Sequence, residues 1–108
     1  MTILLGNGDG TFTPATGSPV TVGGGPYALA AADLNSDGKL DLVVANQNDS
    51  SLTILLGNGD GTFAPAAGSP IALGAVPMSL ALGDYNNSGR LGIAIATESN
   101  VMILVQQP

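Results

Sequence analysis

The chain has 108 residues, of which 44% are hydrophobic and 9% charged, with 16 Gly, 7 Pro and a formal net charge of -6. It is too apolar to stay disordered and too rich in turn residues to be helical. Its acidic balance disfavours nucleic acid and anionic lipid as partners, and the absence of Cys and His excludes thiolate or imidazole metal sites and Cys or His catalysis.

Residues 2–23 read TILLGNGDGTFTPATGSPVTVG, and residues 53–74 read TILLGNGDGTFAPAAGSPIALG, 51 positions later. The segments between them align at the same offset: PYALAAADLNSDGKLDLVVAN from Pro26 against PMSLALGDYNNSGRLGIAIAT from Pro77. Near Asn100 two residues drop out, and VMILV from Val101 then faces LTILL from Leu52. A period near 50 with Gly-rich turns indicates a β-propeller or another β-repeat array.

One unit reads as four short strands. The first spans Tyr27 to Asp33, the second Leu40 to Asn46 and the third Leu52 to Gly57; a less regular fourth follows Phe63 and runs through SPIALG. Val, Ile and Leu dominate the second and third, with Gly, Asn, Asp and Ser between strands. Helices are not expected, because Gly or Pro interrupts every periodic segment. The strands are nearly continuous apolar runs, as burial on both faces of a blade requires. The first strand is rich in small residues, which suits the narrow centre of a propeller. A two-layer sandwich is the alternative architecture. The expected organisation is a single all-β domain over 1–108, built from four-stranded antiparallel propeller blades. In it, residues 1–25 form third and fourth strands of a split blade, 26–76 a complete blade, and 77–108 the first three strands of the split blade.

GNGDGTF occurs at 6–12 and 57–63. Asn-Gly and Asp-Gly pairs supply the positive φ of tight hairpins. The motif also looks like a phosphatase Asp-x-Asp-Gly-Thr, but Asn7 and Asn58 stand where the nucleophile belongs. Asp9 and Asp60 are therefore expected to be solvated turn residues. No basic segment followed by an apolar one opens the chain, so no signal peptide is expected, and no apolar run reaches the roughly 18 residues of a membrane span.

DLNSDGKLD, residues 33–41, places acids or amides at its first, third, fifth and ninth positions. Hard cations such as Ca²⁺ take several oxygen ligands, and alternate oxygen-bearing positions in a tight loop can wrap one. Asp33, Asn35 and Asp37 offer side-chain oxygens, Lys39 its carbonyl and Asp41 a carboxylate at the start of the next strand; Gly38 permits the turn. The helix–loop–helix form of the pattern needs Glu at its twelfth position, which is Val44 here. A metal-free Asp/Asn/Gly hairpin is the plain alternative. The second copy, DYNNSGRLG, keeps Asp84 and Asn86 but has Ser88 and Gly92 at the fifth and ninth positions. With one carboxylate instead of three, it is expected to be empty or very weak.

These segments together resemble the FG-GAP/VCBS repeats of integrin-α-type β-propellers, over essentially the whole chain. The resemblance implies four-stranded blades, with Ca²⁺ held by Asp33, Asn35, Asp37, Lys39 and Asp41 between first and second strands. It also implies an extracellular or cell-surface setting, with adhesion, ligand-binding or lectin roles. A structural or interaction module is the favoured function. The alternatives are a lectin-like propeller and a fragment of a larger adhesion protein, with a glycan or a protein as ligand. With no histidine and no nucleophile elbow, an enzyme is not expected. Two blades leave apolar faces bare, so the chain is expected to close a ring with copies of itself, a trimer being favoured over a tetramer. Nine strands compete for the eight places of two blades, because TILL at 2–5 and MILV at 102–105 claim the same one.

Overall fold

The structure, a computed structural model, describes residues 1–106 apart from Asn86 and Ser88. Among the described residues every regular element is a strand: β1 Leu4–Gly6, β2 Phe12–Pro14, β3 Pro26–Ala32, β4 Asp41–Asn46, β5 Ser51–Gly57, β6 Phe63–Pro65, β7 Ile71–Ala72, β8 Pro77–Gly83, β9 Gly92–Thr97 and β10 Val101–Leu104. All pairs are antiparallel. They form three sheets: a β1–β2 hairpin, a central sheet ordered β3–β4–β5–β6 with β7 also on β5, and a terminal sheet ordered β10–β9–β8.

β3, β4 and β5 follow the apolar runs to within a residue or two at each end. The fourth position of the central sheet is shared by two short strands. β6 pairs with the end of β5, at Leu55↔Pro65, and β7 with its beginning, at Leu52↔Ile71. Between them Gly68 and Pro70 break the ladder, and the Ser69 hydroxyl accepts the Ile54 amide at 2.9 Å in its place. The β1–β2 hairpin repeats the arrangement: Leu4↔Pro14 matches Leu55↔Pro65, and Ser18 Oγ accepts the Ile3 amide at 3.0 Å.

The central sheet lies between the other two. Cross-strand pairing puts Val43, Ala45, Leu52 and Ile54 on one face, and this face packs against Ile93, Ile95, Leu80, Leu82 and Met102 of the terminal sheet to make the core. Its other face meets the N-terminal segment, where the Gly23 amide donates to Thr53 Oγ1 at 3.3 Å. Burial on both sides suits the apolar runs Leu42 to Ala45 of β4 and Ile54 to Leu56 of β5. β3 alternates between exposed and half-buried. The two Phe rings of the repeated turn differ. Each lies over the glycine paired with it, Phe12 over Gly6 and Phe63 over Gly57. Phe63 is half-buried, whereas Phe12 is exposed because its hairpin has no further strand beside it.

Candidate metal centre

The loop between β3 and β4 folds around its own acids. Asp33, just past the end of β3, accepts the Asp37 amide on Oδ1 at 3.1 Å and the Gly38 amide on Oδ2 at 2.8 Å. Gly38 sits at φ +80°, where a side chain would be strained. Asp37 Oδ1 accepts the Lys39 amide at 3.0 Å. Partial burial opposes ionisation of Asp33, but the Gly38 and Asp37 amides outweigh it and hold the carboxyl below its ordinary value.

Asp41 differs from the other two acids in being fully buried. Its Oδ2 accepts the Leu34 amide at 2.9 Å and its Oδ1 the Gly57 amide at 2.8 Å. It therefore ties the start of the loop to the end of β5, 16 positions away in sequence. Space for this contact exists because residue 57 is glycine: a Cβ there would overlap the Leu40 carbonyl oxygen.

One carboxylate oxygen from each of Asp33, Asp37 and Asp41 lies within 4.8 Å of the others. The Asn35 amide is seated against all three. One orientation turns its nitrogen to them, at 3.0 Å from Asp37 Oδ1, 3.1 Å from Asp33 Oδ1 and 3.3 Å from Asp41 Oδ2. The opposite orientation points its oxygen at three acceptors, which is favourable only with a cation among them. The four side chains singled out by spacing thus come together as three carboxylates and one amide, which can present its oxygen to a hard cation in the second orientation. Lys39 contributes its amide to the loop, while its side-chain stem runs along Gly59 in the β5–β6 turn.

The second loop is organised differently. Asp84 Oδ2 accepts the Gly89 amide at 2.7 Å, the counterpart of the Asp33–Gly38 bond. Gly92 stands in the strand position of Asp41, and a Cβ there would lie 2.6 Å from the Leu104 carbonyl oxygen. The Tyr85 ring lies over Gly92, and its hydroxyl donates to the Ala81 carbonyl at 3.2 Å. Asn86 and Ser88, the other two residues that spacing assigns to the second loop, lie outside the described residues.

In the repeated turns, Asp60 Oδ1 accepts the Thr62 amide at 3.0 Å and its hydroxyl at 2.6 Å, and Asn58 Nδ2 donates to Thr62 Oγ1 at 2.9 Å. Asp9, Thr11 and Asn7 repeat the network. These acids are exposed, as their turn positions imply, but they also lock the turn from within. The Thr hydroxyls first, then the Thr amides, hold both carboxyls below their ordinary value.

Fold and site define an antiparallel β-repeat protein with an acidic, oxygen-lined loop between successive strands. A family model described as FG-GAP-like repeat matches residues 1–44 and 33–95, and the chain belongs to that family. Comparison with curated proteins and with solved structures finds no match. No helix among the described residues is long and apolar enough to cross a membrane.

Proposed function

We propose that the chain is a calcium-binding β-propeller repeat module with a structural or interaction role outside the cell. The metal rests on one observation, the convergence of Asp33, Asp37 and Asp41 with the Asn35 amide at 3.0–3.3 Å. Three carboxylates this close repel one another, and the Asn35 nitrogen offsets only part of that. Asp33, Asn35, Asp37 and Asp41 would hold the ion through side-chain oxygens and Lys39 through its carbonyl. Bound Ca²⁺ would neutralise the cluster and fix the loop between β3 and β4. Membership of the FG-GAP-like family and the layering of three sheets support the propeller. Copies would join head to tail, three giving six blades and four giving eight, with a trimer favoured.

Calorimetric titration with Ca²⁺ tests the metal. One strong site per chain is expected, lost in Asp37→Ala and retained in Asp84→Ala; equal losses in both would refute the ranking of the loops. A metal bound only to the folded chain adds about 2.7 kcal/mol at roughly hundredfold excess over Kd, so EDTA should lower the melting temperature. An unchanged melt would remove the structural metal.

A further inference from the structure

Gln106 occupies the place that Gly57 holds in the other unit. Leu55 pairs with Leu42 as Leu104 pairs with Ile93, and Gly57 and Gln106 each lie two positions further on. In the first unit Gly57 has no side chain, and its amide donates to Asp41 Oδ1 at 2.8 Å. In the second unit Gly92 stands in the position of Asp41, so that point carries no carboxylate. Gln106 supplies its own side chain instead. Its Nε2 donates to the Leu91 carbonyl at 2.8 Å and to the Leu34 carbonyl at 2.7 Å. Both partners are carbonyl oxygens, so only the nitrogen end of the amide can face them, and its two hydrogens serve one each.

The bond to Leu34 spans 72 positions and enters the acidic loop between Asp33 and Asn35. The Leu34 side chain is buried in the core cluster, and its amide donates to Asp41 Oδ2 at 2.9 Å. Its carbonyl belongs to the planar peptide that carries the Asn35 nitrogen. Asp41 thus fixes the peptide on one side of Leu34, and Gln106 fixes the peptide on the other. That second peptide sets the direction from which the Asn35 amide approaches the three carboxylates.

We infer that Gln106 is a positioning residue for the metal loop: the second unit, whose own loop has lost two of the acids, holds the backbone of the first loop in the shape that takes the cation. This assignment rests on the calcium reading and adds a coupling to it. Whatever factor Gln106 contributes to calcium affinity, calcium contributes to the hold of Gln106 on Leu34. Occupancy of the first loop therefore tightens the contact between the central and terminal sheets. Gln47 provides a control. Its Nε2 donates to the Pro77 carbonyl at 3.2 Å and so also joins these two sheets, but just past the end of β4 opposite to Asp41.

Calorimetric titration of the full chain with Ca²⁺, at a temperature where circular dichroism shows each variant folded, tests it. Gln106→Met keeps the reach of the side chain and removes both donors. It should weaken binding about five- to tenfold, at the low end for partners of metal ligands because Gln106 acts through a backbone carbonyl. Gln47→Met, distant from the loop, should bind within about twofold of the wild type. If methionine unfolds the chain, Gln106→Ser carries the same test. Solution NMR reads the reverse direction: the Gln106 side-chain amide hydrogens should exchange with solvent more slowly in Ca²⁺ than in EDTA, which a merely structural contact would not show. Equal affinity in Gln106→Met and the wild type, equal losses in the Gln106 and Gln47 variants, or unchanged exchange at Gln106 would each overturn the inference and leave the metal in place. A wild type that binds no Ca²⁺ removes the metal itself, and the positioning role with it.

Discussion

Asp41→Ala, measured without metal, separates a framework role for this carboxylate from the ligand role proposed for it. The side chain is fully buried and accepts two backbone amides, from Leu34 at 2.9 Å and Gly57 at 2.8 Å. Truncation leaves both donors without an acceptor, at about 1–3 kcal/mol each. Relief of the like-charge cluster offsets part of this, so a net loss of about 2–4 kcal/mol is expected. That is a large share of the roughly 5–15 kcal/mol that holds a small domain folded. Asp37→Ala is the control. Asp37 is exposed, and beside the Asn35 side chain its carboxylate accepts a single exposed backbone amide, that of Lys39, so its change should stay within about 0.5 kcal/mol. Urea unfolding in EDTA, followed by circular dichroism, reads both from the shift in midpoint at constant slope. Asp41→Asn should fall between them, since one oxygen still accepts. A loss below about 1 kcal/mol for Asp41→Ala, or equal losses for both alanine variants, would refute the reasoning.

Gly57→Ala should destabilise the chain by about 3 kcal/mol or more, because the added Cβ overlaps a backbone carbonyl that cannot swing aside. Gly8→Ala, with φ +86° in an open turn, should cost only about 1–2 kcal/mol; equal midpoint shifts in urea would contradict this. The lowered Asp60 carboxyl gives a pH test. A carboxyl with a folded pKa below its unfolded value contributes stability that is complete above the unfolded value, about 4, and is lost as pH falls through the folded one. Thr62→Val removes the hydroxyl that contributes most to the lowering, so its stability gap from the wild type should narrow below about pH 4; a gap constant down to about pH 2 would refute it.

Much of the candidate site is legible in residues 33–41, because ligand spacing in a tight loop is a local property. Asp33, Asn35 and Asp37 lie within five residues, and Gly38 supplies the turn that brings them together. The role of Asp41 is less visible. Its spacing marks it as a ligand, but nothing local reveals that it also holds the Gly57 amide, which comes from another strand. Asn46 behaves similarly. It reads only as the end of the second strand, yet it is fully buried, and its Nδ2 donates to Thr53 Oγ1 at 2.9 Å and to Ser51 Oγ at 3.2 Å. Gln106 is another residue that spacing passes over; its Nε2 bridges the Leu34 and Leu91 carbonyls at 2.7 and 2.8 Å and so pins the two inter-strand loops together.

The sequence by itself determined the repeat, the strands, the turns and the acidic loop, because each depends on neighbours within a few positions. Only the tertiary structure decided which of two near-identical residues is covered. Leu29 and Leu80 carry the same side chain on the same strand of their units, yet Leu80 packs against the core and Leu29 is exposed. Burial depends on what lies across the face of a sheet, which local sequence does not specify.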